Sequence, residues 1–299
     1  MSEHEPRTKI VYDNAPSTRP LRELIPHGLS VRVGDMVFGK DLTPQGHVEL
    51  RRTLRKMLRA EHVTPGDDMY PAYKDAIKFI VEGQENIPKS GATLFIGNHE
   101  KSPLLAGMVH FIEAARVTND MRTEAPDDVM RETRIIMQRG LSRPIRVFGR
   151  KVGVVTIPFS EQFYQLATDA ANWITVDPPK YDKNGQIINR QGLPKGLMEE
   201  FYKGQAIFWF PQGKHDKPGN LKMPNKANDF VTKSKDHDIN INGLVFEQAD
   251  DGFHITFTQS VHIQDFPRNE VGELDVNLFA QRFMAPCLSA NRPFVISAR

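Results

Sequence analysis

Two stretches of the chain carry residues whose type and placement could do chemistry. The first is TLFIGNHEKSPLL, Thr93 to Leu105, with His99 at its tip. The second is QAIFWFPQGKHDK, Gln205 to Lys217, where an apolar run leaves into a basic turn containing Gly213. In the first, Ser102-Pro103 ahead of a new apolar stretch has the form of an N-cap with proline at the first helical position. His99 is therefore expected at a strand-to-helix corner, and open α/β sheets bind ligands at such corners. A histidine there can act as general base on a substrate hydroxyl, because its pKa lies near neutrality and proton removal makes the alcohol nucleophilic. At the second corner Gly213 lets an anionic ligand approach the backbone, and Lys214 or His215 supplies charge. Together they predict transfer of a group to an alcohol on a phosphate-bearing acceptor.

Other chemistries lack their residues. The sequence contains no G-x-S-x-G elbow, P-loop, G-x-G-x-x-G, H-E-x-x-H or C-x-x-C. Its 10 histidines are scattered without ligand spacing, so no metal site is expected. Cys287, the only cysteine, excludes an internal disulfide framework and reads as a small core residue. No apolar run reaches the length of a membrane span, and the first twenty residues lack the apolar core of a secretory signal. A cytoplasmic setting is expected, with peripheral contact at a membrane surface as an option.

The formal net charge of +2 hides an uneven distribution. Arg131, Arg134, Arg139, Arg143, Arg146, Arg150 and Lys151 face the lone acid Glu132, and Lys214, Lys217, Lys222, Lys226, Lys233 and Lys235 follow the FPQG segment. Such clusters imply either a solvated basic face or an anionic partner: a phosphorylated small molecule, an acidic membrane or nucleic acid. Few aromatics interleave the first cluster, chiefly Phe148, which argues against a nucleic-acid stacking platform.

The elements that must hold these corners can be read from periodicity. Residues 1–20 are polar, proline-bearing and aperiodic, and read as a disordered tail. Residues 21–83 read as an N-terminal helical appendage: a weakly alternating Leu29 to Phe38, an amphipathic helix through Val48, Leu50, Leu54, Met57 and Leu58, and a helix from Tyr73 to Glu82. Residues 84–299 read as one α/β domain. Strands are expected at Thr93–Gly97, Arg134–Gln138, Val152–Ile157, Ala206–Phe210, Asn240–Phe246 and Phe253–Thr258, with a hairpin across Gln248–Gly252. Helices are expected at Pro103–Ala115, Gln162–Trp173, Lys195–Lys203 and Leu274–Cys287. Val176 to Gly196 is dense in turn residues and reads as a long surface loop or flap. The alternation argues for an α/β fold with a mixed, largely parallel sheet flanked by helices. Phe208, Trp209 and Phe210 read as sheet core and rim, with an acyl-tunnel wall as the alternative.

With these residues in place a resemblance can be stated. Asn98-His99-Glu100-Lys101-Ser102 resembles the start of the N-H-x-S-x-x-D block of the glycerolipid acyltransferases, the glycerol-3-phosphate and lysophosphatidate acyltransferase family. Phe210-Pro211-Gln212-Gly213 resembles their F-P-E-G block. The stretch Ile135 to Ile157, with Arg139, Gly149 and Gly153, resembles the intervening block, and Asn240 to Phe246 falls where the apolar fourth block would lie. The resemblance implies His99 as general base, phosphate held by Arg139, Lys214 and Lys101, and further substrate contacts from Asn98, Ser102, Phe210, Pro211, Gln212 and Gly213. It implies an acyl-CoA or acyl-carrier-protein thioester as co-substrate, a phosphorylated glycerol or lysophospholipid acceptor, and no cofactor.

The departures from that pattern are specific. Leu104 stands where the family's aspartate orients the histidine, and Gln212 where its glutamate carries charge. The arginine of the second block falls near Pro158, and the fourth-block proline is missing around Asn242-Gly243. Losing an orienting carboxylate costs orders of magnitude in other histidine-dependent sites. Two readings follow: an acyltransferase, and a non-catalytic relative that binds phospholipid or another anionic partner through the same basic groove.

Overall fold

A computed structural model describes residues 27–100, 108–138, 142–147, 150–156, 160–176, 180–181, 187–189, 195–212, 221–224 and 227–288. In chain order the helices are α1 (His27–Phe38), α2 (Pro44–Leu58), α3 (Tyr70–Tyr73), α4 (Val109–Met121), α5 (Asp128–Arg131), α6 (Ser160–Ala170), α7 (Lys195–Tyr202), α8 (Ala227–Lys233) and α9 (Val276–Phe279). The strands are β1 (Phe79–Glu82), β2 (Ala92–Gly97), β3 (Thr133–Gln138), β4 (Ser142–Val147), β5 (Arg150–Thr156) and β6 (Ile174–Val176), followed by β7 (Lys180–Tyr181), β8 (Ile187–Asn189), β9 (Ala206–Trp209), β10 (Ile239–Ala249), β11 (Gly252–Phe257) and β12 (Val261–His262).

The main sheet has the order β1-β11-β10-β2-β9-β3-β6, with β12 also beside β10. Strands β10, β2, β9, β3 and β6 run parallel to one another. Antiparallel pairing is confined to β10 with β11 and with β12, and β1 runs parallel to β11 at the edge. The fold is therefore α/β with a mixed, largely parallel sheet. Strand β2 lies at its middle, buried at all six positions.

Alternation along the central strands divides the core between two faces. Phe95, Phe208, Leu244 and Phe246 pack into one layer with α2, α4 and the end of α6. Leu94, Ile96, Ile207, Ile241 and Val245 pack into another with α7, α8, α9 and the segment after it. Strands buried on both faces are what helices on both sides of a parallel sheet require. Helix α2 is capped by Thr43, whose hydroxyl oxygen accepts from the Gly46 N–H at 3.0 Å, with Pro44 opening the first turn. It turns Leu50, Leu54, Met57 and Leu58 inward. Burying each leucine contributes about 1.5–3 kcal/mol, against about 0.2–1 kcal/mol for an exposed ion pair, so the apolar stripe rather than the arginine face docks α2.

Several expected elements differ. Leu29 to Phe38, read as a strand or hairpin, is the helix α1: Val31, Asp35 and Phe38 share a buried face, and Asp35 is held by Arg51 and His47 of α2. The expected helix Tyr73–Glu82 is instead the short α3 followed by strand β1, whose Phe79 pairs with Phe253. Residues 21–83 therefore contribute an edge strand to the sheet rather than helices alone, and α1 and α2 share a core with β2. In place of the expected sheet strand Val152–Ile157, β5 pairs with β4 in a two-stranded sheet of its own. The stretch read as a flap contains the small β7–β8 hairpin. Helix α4 runs on to Met121, past the expected Ala115. The expected C-terminal helix is α9, then a π-helical turn over Ala280–Met284 and a 3-10 turn over Ala285–Cys287. The 1–20 tail lies outside the described residues.

Candidate functional site

Strands β2 and β9 are parallel neighbours, with Ile96 opposite Trp209. Their carboxyl ends therefore deliver Asn98-His99-Glu100 and Phe210-Pro211-Gln212 to the same edge of the sheet, where open α/β folds place ligands. The backbone N–H of His99 donates to the side-chain oxygen of Gln212 at 2.8 Å, and the Gln212 amide donates to the Lys222 carbonyl at 3.3 Å. The two sequence corners are thus joined directly.

The residues flanking His99 are turned away from it. Asn98, 2% exposed, donates from its amide to the Phe246 carbonyl at 2.9 Å and accepts the Phe246 N–H at 2.7 Å. Glu100, 4% exposed, accepts the Gln248 N–H at 3.0 Å. The last backbone bond between β2 and β10 runs from the Asn98 N–H to the Leu244 carbonyl at 3.3 Å, and beyond it side chains continue the pairing. His99 itself is half-buried, its ring edge-on to Phe111 of α4 at 5.2 Å and to Phe210 at 5.9 Å between centroids. Those two phenyl rings touch each other at 4.3 Å. Gly97 makes this possible, because a Cβ there would sit 2.7 Å from Phe210 Cδ1 and closer still to its Cε1.

Of the residues expected at the site, Asn98, His99, Phe210, Pro211 and Gln212 come together. Lys101, Ser102, Arg139, Gly213 and Lys214 lie outside the described residues, as does Leu104. Asn98 and Gln212, expected to touch substrate, make hydrogen bonds to backbone groups. Arg134, counted in the basic cluster, is 3% exposed and cannot form part of a solvated basic face. Of the aromatic run, Phe208 is core and Trp209 half-buried at the rim.

Phe111 was not singled out by sequence, and nothing local marks it among the apolar residues of α4. Helix α4 also borders an apolar cavity of about 50 Å³, lined by Met108, Ile112, Leu50, Met57, Ala167 and Trp173 among others. Met108, the N-cap residue of α4, and Ile112 within it sit one helical turn apart, with Phe111 next to Ile112 in sequence. Among the described residues no group of three or more His, Cys, Asp or Glu side chains could hold a metal ion. No helix among them is long and apolar enough to cross a membrane.

The fold and this edge define an α/β protein with a histidine corner on its central strand. No family model matches the sequence, and no curated protein matches it. Among solved structures the chain is similar to the crystal structure of the 1-acyl-sn-glycerophosphate (LPA) acyltransferase PlsC from Thermotoga maritima, at 12% identity over 92% of this chain and 100% of that one, with a TM-score of 0.42.

Proposed function

We propose that the chain is an acyltransferase that moves a fatty acyl group from an acyl-CoA or acyl-carrier-protein thioester to a hydroxyl of a glycerol-phosphate or lysophospholipid acceptor. The observation that carries this reading is the junction of Asn98-His99-Glu100 and Phe210-Pro211-Gln212 at neighbouring strand ends, with His99 bonded through its backbone to Gln212. His99 takes the proton from the acceptor hydroxyl as its oxygen attacks the thioester carbonyl carbon. The C–S bond then breaks and the departing thiolate takes up the proton. Lys101, Arg139 and Lys214 supply the phosphate contacts in this reading, no cofactor is required, and the protein works at the surface of an anionic membrane.

A second reading is a non-catalytic relative that binds phospholipid or another anionic partner, and Leu104 in place of an orienting aspartate favours it. Thiol release decides between the two. It is measured with acyl-CoA and acyl-carrier-protein donors against glycerol 3-phosphate and lysophosphatidate, for wild type and His99→Ala. Acceptor-dependent release lost in the variant supports the acyltransferase. Absence of release from every pair, in folded protein that still binds anionic vesicles, supports the second reading.

A further inference from the structure

We propose that Gln212 is a positioning residue for His99, and that the position requires a carboxamide rather than a carboxylate. This rests on the reading of His99 as general base. The geometry around Gln212 differs from that of a substrate ligand. Its oxygen accepts the His99 N–H at 2.8 Å and its nitrogen donates to the Lys222 carbonyl at 3.3 Å. One short side chain therefore ties the end of β2 to the segment 221–224 from a root at the end of β9.

Only a group with an acceptor at one terminus and a donor at the other can make both bonds. A glutamate would keep the bond from His99 but set an anionic oxygen against the Lys222 carbonyl oxygen, which repels it. A carboxylate would also add negative charge near His99, favouring the protonated imidazole and lowering the fraction present as free base at neutral pH. The substitution that reads in sequence as a lost charge is in three dimensions a gained donor and a neutral neighbour.

Gln212 also completes a set of anchors. Asn98 fixes the residue before His99 and Glu100 the residue after it, both to β10. These bonds hold the flanks, whereas the Gln212 bond holds the backbone of His99 itself. Releasing it removes a contact that sets the orientation of the histidine between those flanks. An error of an ångström at a reacting centre can cost about a hundredfold in rate.

The test uses the isotopically labelled full chain and its Gln212→Glu and Gln212→Ala variants, with His99→Ala to assign the His99 amide and imidazole resonances. The proposal expects Gln212→Ala to move the His99 amide resonance. It expects Gln212→Glu to raise the midpoint of the imidazole titration by about half to one pH unit. In acyl transfer it expects kcat to fall by about tenfold or more with KM for either substrate unchanged, and the acid limb of the Gln212→Glu profile to follow the imidazole. Unaltered His99 resonances and titration in both variants overturn the proposal. So does a rise in KM at constant kcat, which would make Gln212 a substrate ligand. If the resonances shift but wild type transfers no acyl group, the positioning role stands and the catalytic reading of His99 fails. If one variant fails to fold, the other still reports.

Discussion

Asn98 and Phe246 exchange two hydrogen bonds, side chain to backbone, at 2.9 and 2.7 Å. An asparagine amide here does the work of a strand residue, offering an acceptor and a donor to a partner strand at the point where its own chain turns away. The turn carries His99 off the sheet while its root stays locked to β10.

Asn98→Ala leaves the N–H and carbonyl of Phe246, a fully buried residue, without these partners. Each orphaned group costs about 1–3 kcal/mol, so a loss of about 3 kcal/mol is expected in urea unfolding. Asn98→Asp keeps an acceptor for the N–H but faces the carbonyl with an anion, and should cost at least as much at pH 7. A variant within about 0.5 kcal/mol of wild type would show that the pair contributes little.

Gly97→Ala places a methyl group against the ring of Phe210. That ring already packs on Phe111, so it cannot swing aside without leaving His99. Overpacking of this kind costs about 1–3 kcal/mol. Trimming the ring with Phe210→Leu in the same chain should recover part of it, giving a coupling of about 1 kcal/mol in a double-mutant cycle. Strict additivity of the two substitutions would sink the argument.

Tyr73 is buried and its phenol donates to Glu113 at 2.9 Å, while Glu113 also takes two bonds from Arg116. Burial first, and then the Glu113 charge, hold the phenol well above its ordinary pKa near 10. A folded-state pKa raised in this way gives stability that is fully present below the unfolded pKa and lost as pH rises beyond about 10. Tyr73→Phe should cost about 1.5–3 kcal/mol at pH 8 and flatten the alkaline decline. Urea midpoints between pH 8 and 11 test this; parallel curves for the two proteins would refute it.

Arg122 lies at the opposite end of the strands from His99, fully buried, donating to the carbonyls of Gly91, Met130 and Gly204. Burial pushes its guanidinium down to about 10, so it remains charged at neutral pH. A base depressed on folding disfavours the folded state while charged, and this cost eases as pH rises through about 10, opposite in sign to the Tyr73 effect. Arg122→Ala removes the buried charge but takes a donor from three carbonyls, of which Gly91's keeps the Thr93 hydroxyl at 3.3 Å, and a net loss of about 3 kcal/mol is expected. Because the site is remote, the His99 amide resonance should stay where it is. A moved resonance would show that the two ends of the sheet are coupled.

Much of this architecture was legible from local pattern. The runs at Thr93–Gly97, Ala206–Phe210 and Asn240–Phe246 alternate or saturate with apolar residues as buried strands must, and each surfaces as a sheet strand. The polar breaks after Gly97 and Phe210 marked the two corners. Local pattern failed where two periods coexist. Leu29, Val31 and Val33 alternate as a strand would, yet Val31, Asp35 and Phe38 also share a helical face. Ala76, Ile77, Ile80 and Val81 fit a helical stripe, yet Ile80 and Val81 pair with β11. In both cases packing against a distant element chose the period.

The sequence by itself determined the residue chemistry: a histidine and a glutamine at the exits of two apolar runs, with periods that make those runs sheet strands. Only the tertiary structure decided that the two exits meet. Strand order is set by which faces bury best against which helices, a property of contacts between residues far apart in the chain, and nothing in a local window encodes it. That is why β10 lies beside β2 and receives the Asn98 and Glu100 side chains, why Phe111 comes to flank His99, and why Gln212 is bonded to the residue it helps to hold.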